Sequence, residues 1–244
     1  MRKLFCLLIS AFSCIGLSAQ SDGYEPTTTW PYRYADFKDG AVMTREGTLM
    51  TSGVSMFNLN LANGRVHYVQ DNVIMEADMS RIYSARIGTD VFINIGGRMY
   101  LVLNESDQGL VVALEAPDID QMSRTDIGFG ISSATASKTT TSLELLGIGN
   151  SYDGIYLTGQ TYTQARIEKG KGDPLPIRQT LYLVVDGFRI DADKKSVTRY
   201  PGVDAAAAKD FFKSHKIKWS KPESLAQVVD FVYGQLHQGD EPNN

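Results

Sequence analysis

The chain has few of the residues on which most enzymatic chemistry depends. Its 244 residues include 2 cysteines, 3 histidines, 2 tryptophans and 8 prolines. Both cysteines, Cys6 and Cys14, fall in a segment with the order of an export leader. Arg2 and Lys3 precede an apolar run from Leu4 to Leu17, and Ser18 and Ala19 then offer small residues for cleavage. A mature chain beginning at Gln20 has no thiol, which excludes thiol catalysis, disulfide staples and cysteine metal sites. The competing reading is lipidation at Cys14, although Ala11 and Phe12 stand where an aliphatic and a small residue would be preferred. The leader is too short to span ~30 Å of hydrocarbon, and no other stretch reaches ~18 uninterrupted apolar residues, so no integral membrane segment is expected in the mature chain.

Basic charge is also in deficit. The 24 Lys and Arg residues against 28 Asp and Glu give a net −4, and removal of Arg2 and Lys3 leaves 22 against 28, a net −6. That balance disfavours long-range attraction to nucleic acid or to an anionic membrane. The densest basic runs, Lys169 with Lys171 and Lys213 with Lys216 and Lys218, are short and read as solvated faces.

A three-histidine zinc site would need His67, His215 and His237 together, yet the first sits in a hairpin pattern and the last beside the C-terminus. They read as unrelated surface histidines, and neither metal nor cofactor is expected. The run Gly53, Val54, Ser55, Met56, Phe57 begins a nucleophile elbow but ends in Phe. Gly128 with Gly130 and Gly147 with Gly149 lack the third glycine of a dinucleotide loop. Two carboxylates can suffice for glycoside hydrolysis. However, Asp36 with Asp39, Asp118 with Asp120, and Asp191 with Asp193 all stand in turn-like contexts, where Asp bonds nearby backbone N–H groups. Lys195 and Ser196 occupy the places where a calcium loop starting at Asp191 would need an oxygen ligand and a glycine.

What the chain does have is a folding pattern. With 43% hydrophobic and 21% charged residues it is globular, and its length suits one domain with sub-lobes as well as two domains. Phe57, Leu59 and Leu61 alternate with Asn58 and Asn60, Asn63 and Gly64 form a two-residue turn, and Val66 and Tyr68 resume the alternation. Gly96–Gly97 and Asp186–Gly187 close two further hairpins, and Glu46–Gly47 a looser one. Strands are also predicted at 73–76, 82–87, 110–114, 143–148 and 155–162. The fold class is mainly β with a helical tail (α+β), an antiparallel meander of short hairpins forming a roll or sandwich.

The organisation follows: a leader over 1–19, an N-terminal β lobe over 20–130, a Ser/Thr-rich linker or mobile loop over 131–142, a second β segment over 143–203, and a helix pair with its tail over 204–244. A turn-rich stretch from Glu168 to Pro176 belongs at the surface. Asp204 is the expected N-cap of the first helix, which runs to about His215. Ser220 and Glu223 read as a capping box for the second, whose Leu225, Val228, Val229, Val232 and Leu236 form a buried face, with Gly239 as its stop.

One constellation could meet a partner or ligand. Trp30, Tyr32 and Tyr34 alternate with Pro31 and Arg33, so an extended segment would set three rings along one face. The stripe could stack on a sugar or on a protein surface. Alternatively it packs on the protein's own sheet, the usual fate of large aromatics and the reading the sequence favours.

The run of Thr28, Trp30, Pro31, Tyr32, Phe37, Asp39, Gly40 and Ala41, with His67 and Tyr68 after the hairpin, resembles an exported family of Bacteroides-type bacteria with a similar Trp-Pro-Tyr opening. Lys216, Ile217, Lys218 and Trp219, followed by Ser224 and Leu225, resemble that family's ending; the tail from Gly239 to Asn244 departs from it. The resemblance implies compartment and fold. It leads us to expect a non-enzymatic accessory or interaction protein of the periplasm or outer-membrane periphery with an envelope protein partner, the type IX secretion apparatus being the first partner class to test. The alternatives are a glycan or envelope-ligand binding module using Trp30, Tyr32 and Tyr34, and a carboxylate-based hydrolase.

Overall fold

The computed structural model describes residues 31–50, 56–118 and 176–238. They form one eleven-stranded antiparallel sheet and three helices at the C-terminal end. In chain order the strands are β1 (Lys38–Thr44), β2 (Leu49–Met50), β3 (Met56–Asn60), β4 (Arg65–Gln70), β5 (Val73–Glu76), β6 (Ile82–Ile87), β7 (Asp90–Ile95), β8 (Arg98–Ser106), β9 (Gly109–Pro117), β10 (Ile177–Val185) and β11 (Phe188–Asp191). The helices are α1 (Lys194–Thr198), α2 (Ala205–His215) and α3 (Pro222–Leu236). The mainly β reading with a helical tail is the observed class. The leader, the tract 131–142, the strands expected at 143–148 and 155–162, residues 168–175 and the stop at Gly239 all lie outside the described residues.

Across the sheet the order is β11-β10-β9-β8-β7-β6-β1-β3-β4-β5, with β2 on β1. Strand β1 turns the corner. Its start pairs with β3 (Lys38 with Phe57) and its remainder with β6 (Gly40 with Ile87). At the bend only glycine fits, because a Cβ on Gly40 would lie 2.2 Å from the Arg86 carbonyl oxygen. The β3–β5 hairpins thereby fold back over β6–β9, and Phe57, Leu59, Leu61 and Val66 share a core with Val42, Ile82, Ile87, Phe92 and Leu101. The bond from Met99 N–H to the Gly64 carbonyl, 2.9 Å, closes this roll.

The inner face of the other half is covered by α3. Leu225, Val228, Val229 and Val232 pack on Val111, Leu183, Val185 and Ile190, the apolar helix face expected from spacings of three and four. β9 and β10, which lie on either side of the tract 131–142, are neighbours in this sheet, Pro117 opposite Ile177.

Several local expectations change. The turn after β3 is a four-residue loop, since Asn60 pairs with Arg65; Leu61 is drawn into the core at 1% exposure and Gly64 alone takes positive φ, at 70°. Gly96–Gly97 and Asp186–Gly187 are two-residue turns with both φ values positive, as their residue types demand. Asp71–Asn72 makes a further turn of this kind without glycine, which Asn and Asp tolerate better than other residues. Asp204 caps α2 as expected, accepting from the Ala206 and Ala207 N–H groups. There is no capping box at Ser220. Helix α3 starts with Pro222 after Lys221, because proline's fixed φ and missing N–H suit the first helical position. Asp193 bonds nearby backbone N–H groups, as its turn-like context suggests, and in doing so caps the short helix α1, accepting from Lys195 and Ser196.

Candidate functional site

Three of the buried polar side chains, Asn58, His67 and Glu115, converge on residues 31–37, an arm laid along the free edge of β3. Arg33 N–H donates to the Leu59 carbonyl at 3.0 Å, and Leu61 N–H donates to Pro31 at 2.8 Å. Between these bonds and β1 the ladder slips, and the Asn58 side chain takes the place of backbone. Its Nδ2 donates to the carbonyls of Tyr34 (2.9 Å) and Asp36, while its Oδ1 accepts from the N–H groups of Tyr34 and Leu59. A fully buried amide with both ends satisfied fixes the arm's path.

Tyr32 and Tyr34 leave this arm in different directions. Tyr32, 3% exposed, packs with Phe37 and Ile74 against β4 and β5, whereas Tyr34, 8% exposed, joins the core within the roll. The two rings therefore do not form a stripe on one face, because the irregular backbone at 33–36 breaks the alternation; Trp30 lies outside the described residues. Both described tyrosines are spent on the protein's own sheet.

Tyr32 heads a buried polar chain. Its hydroxyl lies 2.9 Å from Nδ1 of His67, and Nε2 of His67 lies 3.3 Å from a Glu76 carboxylate oxygen. A neutral imidazole with its proton on Nε2 satisfies both contacts. His67 is thus not a surface residue: it is fully buried, because its partners on the arm and on β5 cover it. Burial first, and the nearby Glu76 charge second, push the Tyr32 hydroxyl well above its ordinary value.

Arg65 pairs with Glu76, and Asn63 Nδ2 donates to it at 3.2 Å. The His67 hydrogen bond chiefly, with Arg65 adding and partial burial opposing, holds the Glu76 carboxyl down from 4.5 to about 2. A depressed carboxyl contributes stability that is complete above its unfolded pKa and is lost as pH falls through its folded one. Between about pH 4.5 and 2 the urea midpoint is therefore expected to fall more steeply in the parent than in Glu76→Gln. Parallel pH profiles would refute this role for Glu76.

A second cluster joins the arm to the opposite wall of the roll. Arg33 forks onto Glu115 through Nε and Nη2 and reaches Asp90 through Nη1 at 2.5 Å. Its guanidinium also lies 4.7 Å from the Tyr34 ring centre, and Tyr34 donates to Asp90 at 2.6 Å. The Glu115 side chain is 3% exposed and that of Arg33 14%. This arrangement spends a cation on two carboxylates.

A groove of about 490 Å³ opens to solvent between the β4–β5 hairpin and the start of β6, with Arg45, Arg65, Glu76, Asp78 and Ser80 on its walls. Ser80 Oγ donates to Asp78 at 2.6 Å, and this bond leads in holding the Asp78 carboxyl below its ordinary value. Glu76 and Asp78 are both held ionised, while glycoside hydrolysis needs one carboxyl kept protonated as general acid. The Tyr32–His67–Glu76 chain could relay a proton, but two of its three members are sealed from the groove.

Among the described residues no group of three or more His, Asp or Glu is placed to hold a metal ion, and no helix is long and apolar enough to cross a membrane. No known protein family, curated protein or solved structure matches the chain.

A different feature lies on the outer face of the roll. Met43 is paired with Leu49 on one side and Ser84 on the other, and Val91 is paired with Arg86. Leu49, Tyr83 and Val91 are 49%, 54% and 44% exposed. Tyr83 stands at the bulge where β1 and β6 slip register. The sequence carries this patch as outward-facing apolar residues in strands whose alternate positions are also apolar, a pattern that marks a sheet with two apolar faces.

Proposed function

We propose that the chain is a non-enzymatic accessory or interaction protein of the cell envelope, docking a protein partner on the outer face formed by β1, β2, β6 and β7. The observation that carries this reading is the contrast between its two sets of residues. Among the described residues, Tyr32 is spent on His67 and Arg33 on Glu115 inside the protein, while Met43, Leu49, Tyr83 and Val91 are left in solvent on one continuous face. Exposed apolar side chains grouped in this way mark interaction surfaces, and a tyrosine among them supplies the anchor such surfaces favour. The leader at 1–19 supports the compartment, and the secretion and surface-assembly machinery is the partner class to test first.

Recovery of partners from solubilised envelopes with the mature protein tests this reading. Tyr83→Glu with Val91→Glu should abolish recovery and leave the melting temperature within a few degrees, as expected for exposed positions. Unchanged recovery by the double variant would refute the assignment of this face.

A further inference from the structure

The helix pair carries a local excess of basic charge in an otherwise acidic chain. From Lys209 to Gln227 there are five lysines, one Asp and one Glu, net +3 with His215 neutral, in a chain of net −4. Lys213 is close to Asp210, at 3.5 Å with both side chains largely exposed. Lys216, Lys218 and Lys221 make no ion pair among the described residues.

The fold gathers these three lysines. Ile217 and Trp219 turn inward to the core under α3, so Lys216 and Lys218, which alternate with them, face solvent. The Lys218 N–H donates to Ser224 Oγ at 3.0 Å, which ties the connector to α3. Lys216 holds a left-handed conformation, φ 47°, where a helix stop favours glycine. The result is an open groove of about 630 Å³ lined by His215, Lys216, Lys218, Lys221, Glu223 and Ser224.

From this we infer that the groove between α2 and α3 binds a phosphate-rich polyanion through Lys216, Lys218 and Lys221. Lysine ammonium groups suit such a ligand as mobile point charges, without the planar fork that arginine offers a single carboxylate. A soluble chain is the occupant, not a bilayer, because no large apolar side chain between 209 and 227 is exposed to enter lipid; among the described residues the exposed ones lie elsewhere, at Met43, Leu49, Met75, Tyr83, Val91 and Phe188. This surface is separate from the outer face of β1, β2, β6 and β7, so the inference stands or falls independently of the proposed protein partner.

Linear polyphosphate is the probe, titrated into the mature protein with Trp219 fluorescence and calorimetry as readouts. Binding is expected at 50 mM salt and should weaken as salt rises. Changing Lys216, Lys218 and Lys221 together to Gln should weaken it at least tenfold and flatten the log–log salt slope by about 2, the share expected of three ammoniums on a single-stranded polyanion. Lys194→Gln with Lys195→Gln on α1 should leave both quantities unchanged, and thermal melts of each variant report folding. No binding at 50 mM salt, equal loss in the α1 variant, or binding to phosphatidylglycerol vesicles with none to polyphosphate would each overturn the assignment.

Discussion

Replacing Arg33 with Met is expected to cost about 3–5 kcal/mol of folding stability, the range for breaking a buried ion pair by removing one partner. Arg33 is the sole cation bonded to Glu115 among the described residues, and the Glu115 side chain is 3% exposed. Without Arg33 that carboxylate keeps the Gln179 amide at 3.0 Å and nothing of opposite charge. Asp90 loses the same partner but retains the Tyr34 hydroxyl. The loss should be read in urea, with the slope of the transition unchanged. Adding Glu115→Gln to Arg33→Met should recover a large part of the loss, since the cost lies in the stranded charge more than in the missing contact. A single variant within about 1 kcal/mol of the parent would mean that water reaches Glu115 and that the arm does not seal this wall of the roll.

The second large effect concerns Tyr32. Its ring meets Phe37 edge-on at 5.1 Å and His67 at 5.6 Å, and its hydroxyl heads the chain to Glu76. Tyr32→Ala should cost about 3–5 kcal/mol, as truncations of large buried aromatics do. Tyr32→Phe keeps the ring and removes the hydroxyl, leaving Nδ1 of His67 without its donor; about 1–3 kcal/mol is expected from that unpaired buried acceptor. Equal losses in the two variants would place all of the effect in the hydrogen bond, and a neutral Ala variant would return Tyr32 to the surface reading. Thermal melts of both proteins decide between these outcomes.

These two residues also mark where the sequence stops being legible. Period and turn chemistry are local, so the glycine turns at 96–97 and 186–187, the cap at Asp204 and the apolar face of α3 could all be read from neighbouring residues. The polar core could not, because its partners are far apart in the chain: Arg33 meets Glu115 across 82 residues and Tyr32 meets His67 across 35. Alternation also misleads on β3, where Asn58 and Asn60 sit at the positions a half-exposed strand gives to solvent. Both are fully buried, since the arm covers the face they point to. A signal was present nevertheless. Asn58, Asn60 and His67 are polar, capable of several hydrogen bonds and set between apolar neighbours, a combination that fits a covered polar face as well as a wet one. At Ser220 the capping-box spacing competes with Pro222, and the proline decides because its geometry is covalent.

The outer patch escaped for a related reason. Met43, Leu49, Tyr83 and Val91 come from four strands, and only the pairing of β2 with β1, β1 with β6, and β6 with β7 makes them neighbours. On the proposed function, a partner protein meets this face. Site-specific photo-crosslinking in intact cells tests it most directly, with a benzophenone side chain placed at Tyr83, at Val91 and, as a control, at the exposed Asp71 in the turn between β4 and β5. One discrete adduct of the same mass increment is expected from positions 83 and 91 and none from 71. Adducts from position 71 alone, or no adduct from 83 and 91 in cells where the protein is folded and exported, would contradict it.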